Sequence, residues 1–359
     1  MNPNPFEPRP SSAVAAVTAY RVPSPPYPTD LRLDGTRGGE IAGGLSTVLA
    51  NLDVGVWSRY PDPAPLEAAV AARHSVDPAR VVVTAGADEA LDRACRALLA
   101  PGRRLVLPVP TFEMIPRYAR LAGAEIVEVP WRGEAWPIDL VLARAGEGAG
   151  AVAVVSPNNP TGAVALRDDL RRLGAAHPNT PLLLDLAYVE FADDDPTAEA
   201  LAMPQAIVFR TFSKAWGLPG LRVGYAIADP RVARWMRAAG GPYPVSSIAL
   251  ALAGSWLERG EGAMRAFVSR VREERSALER LLANRGAVVQ PSQANFVLAR
   301  FQDAGRVRDE LARRGIAVRV FPETPGLEDA LRLTLPGDAA SFERVVRAFG
   351  EILPEEESK

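Results

Sequence analysis

The chain has 359 residues, of which 48% are hydrophobic and 23% charged, and its net charge is -2. That balance fits a folded protein of about two domains and offers no basic surplus to nucleic acid or an anionic membrane. Cys95 is the single cysteine, and His74 and His177 are the two histidines. An intramolecular disulfide and a multi-cysteine metal site are therefore excluded, and zinc-hydrolase or histidine-triad chemistry is disfavoured.

The first 40 residues are rich in Pro, Ser and Ala and read as an extended arm with a short helix near Ser12–Ala19. Met1–Pro10 lacks the apolar core of a secretory signal. The chain has no run of about 18 apolar residues that would span a membrane. The expectation is a soluble, cytoplasmic protein. A helix over Ile41–Leu52 and a turn at Tyr60-Pro61-Asp62-Pro63 come next.

From Leu66 onward helical and strand patterns alternate. Short apolar, β-branched runs at 81–84, 104–107, 125–129, 151–155, 182–184, 206–209 and 224–227 read as strands, with helical stretches at 86–99, 112–121, 138–145 and 168–174. Strands apolar on both faces and separated by helices belong in a mostly parallel sheet covered on both sides. In such sheets ligands bind beyond the carboxyl ends of the strands. A long helical pattern over Ile248–Asn284 breaks the alternation. Strands at Val288–Val289, Asn295–Ala299, Ala317–Val320 and Leu331–Leu335 follow, with helices near Val307–Arg314 and Ser341–Ile352. The expected organisation is an arm over 1–40, a large α/β domain over 41–245 and a smaller α+β domain over 246–359.

Only two of the 41 basic residues are lysines, Lys214 and the C-terminal Lys359. Arginine cannot give up its proton in a protein, whereas a primary amine can. Retention of Lys214 in a chain that otherwise uses arginine points to amine chemistry there. Other unusual residues fall at predicted strand ends. Gly86-Ala87-Asp88 opens a helix, where free N–H groups suit an anion; alone it reads first as an ordinary strand-to-helix turn with Asp88 as a first-turn acid. Ser156–Gly162 places Asn159 in a tight turn. Asp185 ends a buried strand and needs a partner, with Tyr188 three residues on. Thr211, Ser213 and Arg222 flank Lys214, and hydroxyls with a guanidinium can hold a dianionic phosphate. Taken together, a phosphate cradle, an amine and a carboxylate for a ring cation point to pyridoxal 5′-phosphate.

These strings resemble the fold-type I pyridoxal-phosphate-dependent aminotransferases, and most of all the histidinol-phosphate aminotransferases. The resemblance runs from about Tyr20 to the last helix. It is carried by Arg59-Tyr60-Pro61-Asp62, Gly86-Ala87-Asp88-Glu89, Ser156–Gly162, Asp185-Leu186-Ala187-Tyr188, Ser213-Lys214-Ala215, Gly220–Gly224, Pro242-Tyr243-Pro244 and Leu331–Thr334. It implies the α/β aminotransferase fold and transamination between histidinol phosphate and imidazole acetol phosphate, with glutamate and 2-oxoglutarate as the other pair. That is a step of histidine biosynthesis.

It also implies roles. Lys214 bonds the cofactor and shuttles the proton, Asp185 holds the pyridine nitrogen protonated, and Asn159 and Tyr188 bind the phenolic oxygen. Phe112 stacks on the ring. Ala87, Asp88, Thr211, Ser213 and Arg222 hold the phosphate. Tyr60 reaches the neighbouring subunit's cofactor, which makes the protein a homodimer with shared sites. Arg332 takes a substrate carboxylate, while Arg319 and Tyr20 contact the side-chain end, including a substrate phosphate.

Three departures stand out: the family's Asn-Glu loop reads Asp34-Gly35-Thr36-Arg37-Gly38-Gly39-Glu40, its Glu is Leu186, and its stacking Tyr is Phe112. Arg37 is either an extra anion contact or a solvated loop residue. An aromatic amino acid aminotransferase and a decarboxylase of a phosphorylated amino acid share most of these strings and stay as alternatives. A transcriptional regulator built on the same fold is disfavoured, because no basic recognition helix precedes the core.

Overall fold

The computed structural model describes residues 10–19, 24–36, 45–53, 55–133 and 135–353. In chain order the helices are α1 Ser12–Ala15, α2 Leu45–Ala50, α3 Gly55–Ser58, α4 Ala64–His74, α5 Gly86–Leu98, α6 Met114–Leu121, α7 Ile138–Gly146, α8 Arg167–Ala176, α9 Thr197–Ala202, α10 Pro230–Ala238, α11 Ser247–Arg259, α12 Glu261–Ala283, α13 Ala304–Arg313 and α14 Ala339–Ile352. The strands are β1 Leu31–Arg32, β2 Val81–Thr84, β3 Arg104–Val109, β4 Glu125–Pro130, β5 Ala151–Val155, β6 Leu182–Asp185, β7 Ala206–Thr211, β8 Gly224–Ile227, β9 Val288–Gln290, β10 Phe296–Arg300, β11 Ile316–Ala317, β12 Arg319–Val320 and β13 Ala330–Thr334.

Seven strands form the main sheet in the order β2-β8-β7-β6-β5-β3-β4. Successive residues of its central strands divide between two cores. Val152, Val154, Leu182, Leu184 and Val208 pack on one face, while Ala153, Val155, Leu183, Ile207 and Phe209 pack on the other. The period-2 alternation of a strand places both sets, and both faces are apolar because helices cover both. On one side α5 supplies Ala90, Leu91, Ala94 and Cys95. Cys95 is thus a core residue, its thiol pushed up to about 12 by burial.

Strand β8 departs from the parallel expectation: it runs antiparallel to both β2 and β7. Its first residue, Gly224, lies opposite Thr84 and Thr211, the last residues of those two strands. The carboxyl ends of β2, β7, β6, β5 and β3 therefore share one edge with the start of β8. Every strand-end motif of the sequence is delivered to that edge.

A second, antiparallel sheet has the order β12-β13-β10-β9, and β1 pairs in parallel with β11. The Leu33 N–H donates to the Ala317 carbonyl, and Thr334 N–H donates to the Leu33 carbonyl. The segment after β1 is thereby tied between β11 and β13. The expected strand Ala317–Val320 is divided: Ile316–Ala317 pairs with β1 and Arg319–Val320 with β13. The expected long helix is likewise two helices, broken at Gly260, where a β-carbon would meet the Trp256 ring at 2.5 Å. Among the described residues no helix is long and apolar enough to cross a membrane.

Candidate active site

Asp185 ends β6, paired with Val155 on one side and Phe209 on the other. It is 3% exposed, and its Oδ1 accepts the Ala187 N–H at 3.1 Å. No basic group among the described residues lies within ion-pair distance of it. Burial pushes its carboxyl up to about 7, against the opposing pull of the Ala187 N–H. A buried carboxylate in this state is stabilised by any cation placed beside it.

Lys214 follows β7 in the turn that leads to β8. Its amine is pushed down to about 8, first by loss of hydration. Asp88 and Asp185 raise it, and Arg332 and Arg222 lower it. The Nζ atom donates to Thr36 Oγ1 at 2.7 Å and lies 5.4 Å from the centre of the Tyr188 ring. Tyr188 is buried, edge-on to Phe296, with its hydroxyl 2.8 Å from the same Thr36 oxygen. Burial holds that phenol up at about 12, so it is protonated across the neutral range.

The start of α5 forms the third part. Gly86 takes a left-handed conformation, φ +83°, and Ala85 supplies no side-chain cap. The first N–H groups of the helix are thus free for an anion. Arg222 crosses this end, donating to Asp88 Oδ2 and Ser213 Oγ, both at 3.2 Å. Arg222 itself has φ +51°, a left-handed conformation that costs a non-glycine residue of order 1 kcal/mol. Thr211 Oγ1 accepts the Ser213 N–H at 3.1 Å. Gly224 makes the approach possible: a β-carbon there would lie 2.5 Å from Ala87 N and 2.6 Å from Gly86 C. Two hydroxyls, a guanidinium and a helix N-terminus meet here, as the sequence leads one to expect.

Arg332, in the middle of β13, reaches the same edge from the second sheet. Its Nη1 donates to Asn159 Oδ1 at 2.5 Å and its Nη2 to the Asp34 carbonyl at 2.8 Å. Arg319 is its direct partner on β12 and forms an ion pair with the exposed Glu113 at 3.0 Å. Phe112 precedes α6 instead of lying within it, half-buried beside the core face that carries Leu183 and Phe209. Asn158, which the sequence does not single out, fixes the loop: its amide donates to the Pro110 carbonyl and to Thr161, and its Oδ1 accepts from Thr111.

One expected residue is not gathered here. Tyr60 is 79% exposed and stacks on Tyr243, with ring centres 4.6 Å apart. Tyr20 and Arg37 lie outside the described residues. Thr36 is the residue that sequence reasoning missed. A lone threonine within an unfamiliar loop carries no motif, and only the tertiary path of the segment after β1 brings it to Lys214.

Residues 46–349 match the family described as aminotransferase class I and II. The histidinol-phosphate aminotransferase of Paracoccus denitrificans is 36% identical over 310 residues, covering 83% of this chain and 82% of that protein. That of Rhodospirillum centenum is 38% identical over 310 residues, covering 82% and 84%. The crystal structure of histidinol-phosphate aminotransferase from Sinorhizobium meliloti, in complex with pyridoxal-5′-phosphate, superposes with a TM-score of 0.86 at 23% identity, over 97% of this chain and 98% of that one. The chain belongs to the class I and II aminotransferases, and its α/β fold is theirs.

Proposed function

We propose that this chain is a pyridoxal 5′-phosphate-dependent aminotransferase that interconverts histidinol phosphate and imidazole acetol phosphate, with glutamate and 2-oxoglutarate as the second pair. The observation that carries the reading is the meeting, at one sheet edge, of the Lys214 amine, the Asp185 carboxyl without a cation and the anion cradle at the start of α5. The curated relatives, at 36–38% identity, supply the choice of substrate.

The residues fit the cofactor. Asp185 would gain from a protonated pyridine nitrogen the cation it lacks, which would return its carboxyl to the ionised form. Ala87 and Asp88 by their N–H groups, with Thr211, Ser213 and Arg222, would hold the phosphate. Asn159 and Tyr188 would hold the phenolic oxygen, and Phe112 would cover the ring. The bound group supplies an electron sink that acidifies the hydrogen on the amine-bearing carbon of the substrate.

The chain does the rest. An amine near pKa 8 is neutral in about a tenth of molecules at pH 7 and can both take and return a proton. Lys214 Nζ is the atom we assign to that transfer. Tyr188 stays protonated and is a donor throughout. Arg332 and Arg319, side by side on adjacent strands, present two guanidiniums to the substrate. Histidinol phosphate carries a CH2–O–phosphate where an amino acid carries its carboxylate, so its dianion would meet the arginine pair at the carboxylate position and not at the side-chain end that the resemblance assigned to Arg319, while glutamate would use Arg332 for its α-carboxylate.

The reading includes a homodimer located in the cytoplasm. Tyr60, Tyr243 and Trp57 are 79%, 51% and 64% exposed. Exposed aromatics near one another favour a protein contact, and Tyr60 would then serve the partner's cofactor. It also includes a division into the arm 1–40, a cofactor domain 41–245 and a small domain 246–359. The arm is then partly structured, since β1 lies within it.

The test is rapid mixing of cofactor-loaded protein with histidinol phosphate, phenylalanine or threonine phosphate. Fast loss of the long-wavelength cofactor absorbance with histidinol phosphate alone is the expected result. An equal or faster loss with phenylalanine would move the assignment to aromatic amino acids. Carbon dioxide release from threonine phosphate would replace transamination with decarboxylation.

A further inference from the structure

Thr36 occupies a position that the cofactor reading leaves without a role. Its side chain is buried, at 8% exposure, and its hydroxyl lies between Lys214 Nζ at 2.7 Å and the Tyr188 hydroxyl at 2.8 Å. These are the two groups at the site that exchange or donate protons under the proposed function.

The position is built. Leu33 is tied to Ala317 and Thr334 through its backbone. Asp34 is held by the Arg32 guanidinium through bonds of 2.6 and 3.1 Å, and its carbonyl accepts from Arg332 at 2.8 Å. Two residues later the chain delivers Thr36. The same Arg332 that holds this segment also holds Asn159. Thr36 therefore follows a segment that is tied to β11, to β13 and to Arg332.

A threonine hydroxyl has one hydrogen to give and two lone pairs to accept. While Lys214 is an ammonium, it donates to Thr36, and the Thr36 hydrogen points to the Tyr188 oxygen. The Tyr188 hydrogen is then free to donate elsewhere. When Lys214 is neutral, Thr36 can turn its hydrogen to the amine lone pair, and Tyr188 donates to Thr36. The direction of the Tyr188 hydrogen bond thus follows the charge on Lys214. We propose that Thr36 is a positioning residue that docks the free Lys214 amine and couples its protonation to the hydrogen-bond direction of Tyr188. This inference rests on the assignment of Lys214 as the cofactor lysine.

The charged and titratable groups facing Lys214 are Asp88 from α5, Asp185 and Tyr188 from the end of β6, Arg222 ahead of β8 and Arg332 from β13. None is altered by Thr36→Val, which keeps the side-chain shape and removes only the hydroxyl. An acceptor to the ammonium favours the charged form, so its loss lowers the lysine's pKa. The expected shift is about one unit, the size of a hydrogen bond to a charged group.

The chain's lysine content makes the readout clean. Cofactor-free full-length protein is acylated with trace acetic anhydride across pH 6–11, and Lys214 and Lys359 are followed by mass spectrometry. The expected result is a midpoint for Lys214 that falls by about one unit in Thr36→Val and returns in Thr36→Ser, with Lys359 unmoved. A folded Thr36→Val protein with the parent's midpoint overturns the proposal. If Val does not fold, Thr36→Ala carries the same comparison. Loaded parent protein is examined in parallel. If its cofactor is not bonded to Lys214, the cofactor reading fails, whereas a normal loaded spectrum with an unmoved midpoint fails Thr36 alone.

Discussion

Arg319 and Arg332 are direct partners across the antiparallel strands β12 and β13, and both guanidiniums lie near the ring of Phe321, at 5.8 and 5.9 Å. Like charges placed directly opposite in a sheet are destabilising. Glu113 and Asn159 hold the two guanidiniums in this structure, and under the proposed function an anionic substrate would take the place of these partners. Each charge-assisted bond to a substrate is worth about 1.5–3 kcal/mol, or about 10–100-fold in affinity. Arg319→Gln is expected to raise KM for histidinol phosphate by about that factor while leaving phenylalanine, if it reacts at all, little changed. Arg332→Gln raises KM for histidinol phosphate and for glutamate. Half-reaction kinetics with each substrate separate the two arginines, and equal effects of both variants on all substrates would contradict the division of labour.

Asp185 carries a stability cost that, under the proposed function, the cofactor would remove. Its folded pKa, about 7, lies above the usual carboxylate value. Between about pH 4 and 7 the folded chain therefore binds the extra proton, and stability falls as pH rises through that window, then levels off. Asp185→Asn escapes the loss. Without cofactor, the variant is expected to be more stable than its parent by about 2–4 kcal/mol at pH 8, with a smaller margin at pH 5. With cofactor present the order reverses, because the amide offers no charge to a pyridinium. Thermal unfolding at both pH values, with and without pyridoxal phosphate, checks the four cases. A cofactor-free Asn variant less stable than its parent at pH 8 would show that Asp185 already has a compensating partner.

Gly224→Ala tests the cradle through packing alone. The added carbon would meet Ala87 N, Gly86 C and Arg210 O at 2.5, 2.6 and 2.9 Å, all backbone atoms. The start of α5 must shift away from β8, and overpacking of this kind costs about 1–3 kcal/mol. Cofactor affinity is expected to fall at least as far as stability, because the N–H groups proposed to hold the phosphate move with the helix. Fluorescence titration of cofactor into the refolded variant measures the loss. An unchanged affinity would remove the start of α5 from the phosphate site.

Much of this was legible in the sequence, for identifiable reasons. Strands buried on both faces write themselves as continuous apolar runs, so β2, β5 and β8 lie at the expected bounds. The residues gathered at the sheet edge were legible because they follow those runs directly: Asp185 after Leu184, Lys214 after Thr211. The orientation of β8 was not, because an apolar run reads the same in either direction. The division of Ala317–Val320 was hidden too: it depends on a partner, Leu31–Arg32, nearly 300 positions earlier. Helices α9 and α10 were missed for want of long apolar periodicity, though Asp229 caps the Arg231 N–H ahead of α10 and was readable as a start signal. Thr36 was out of reach because its partners, Tyr188 and Lys214, lie 152 and 178 positions away.

The central claim is that Lys214 is the residue that bonds the cofactor. The most direct measurement is borohydride reduction of the loaded protein followed by peptide mass mapping. With two lysines in the chain, the answer is unambiguous. The account predicts one reduced pyridoxyl phosphate per chain, on the peptide containing Lys214, and its absence from a Lys214→Ala protein that is otherwise folded. Label on Lys359 or the N-terminal amine, or retention of turnover by Lys214→Ala, would contradict it.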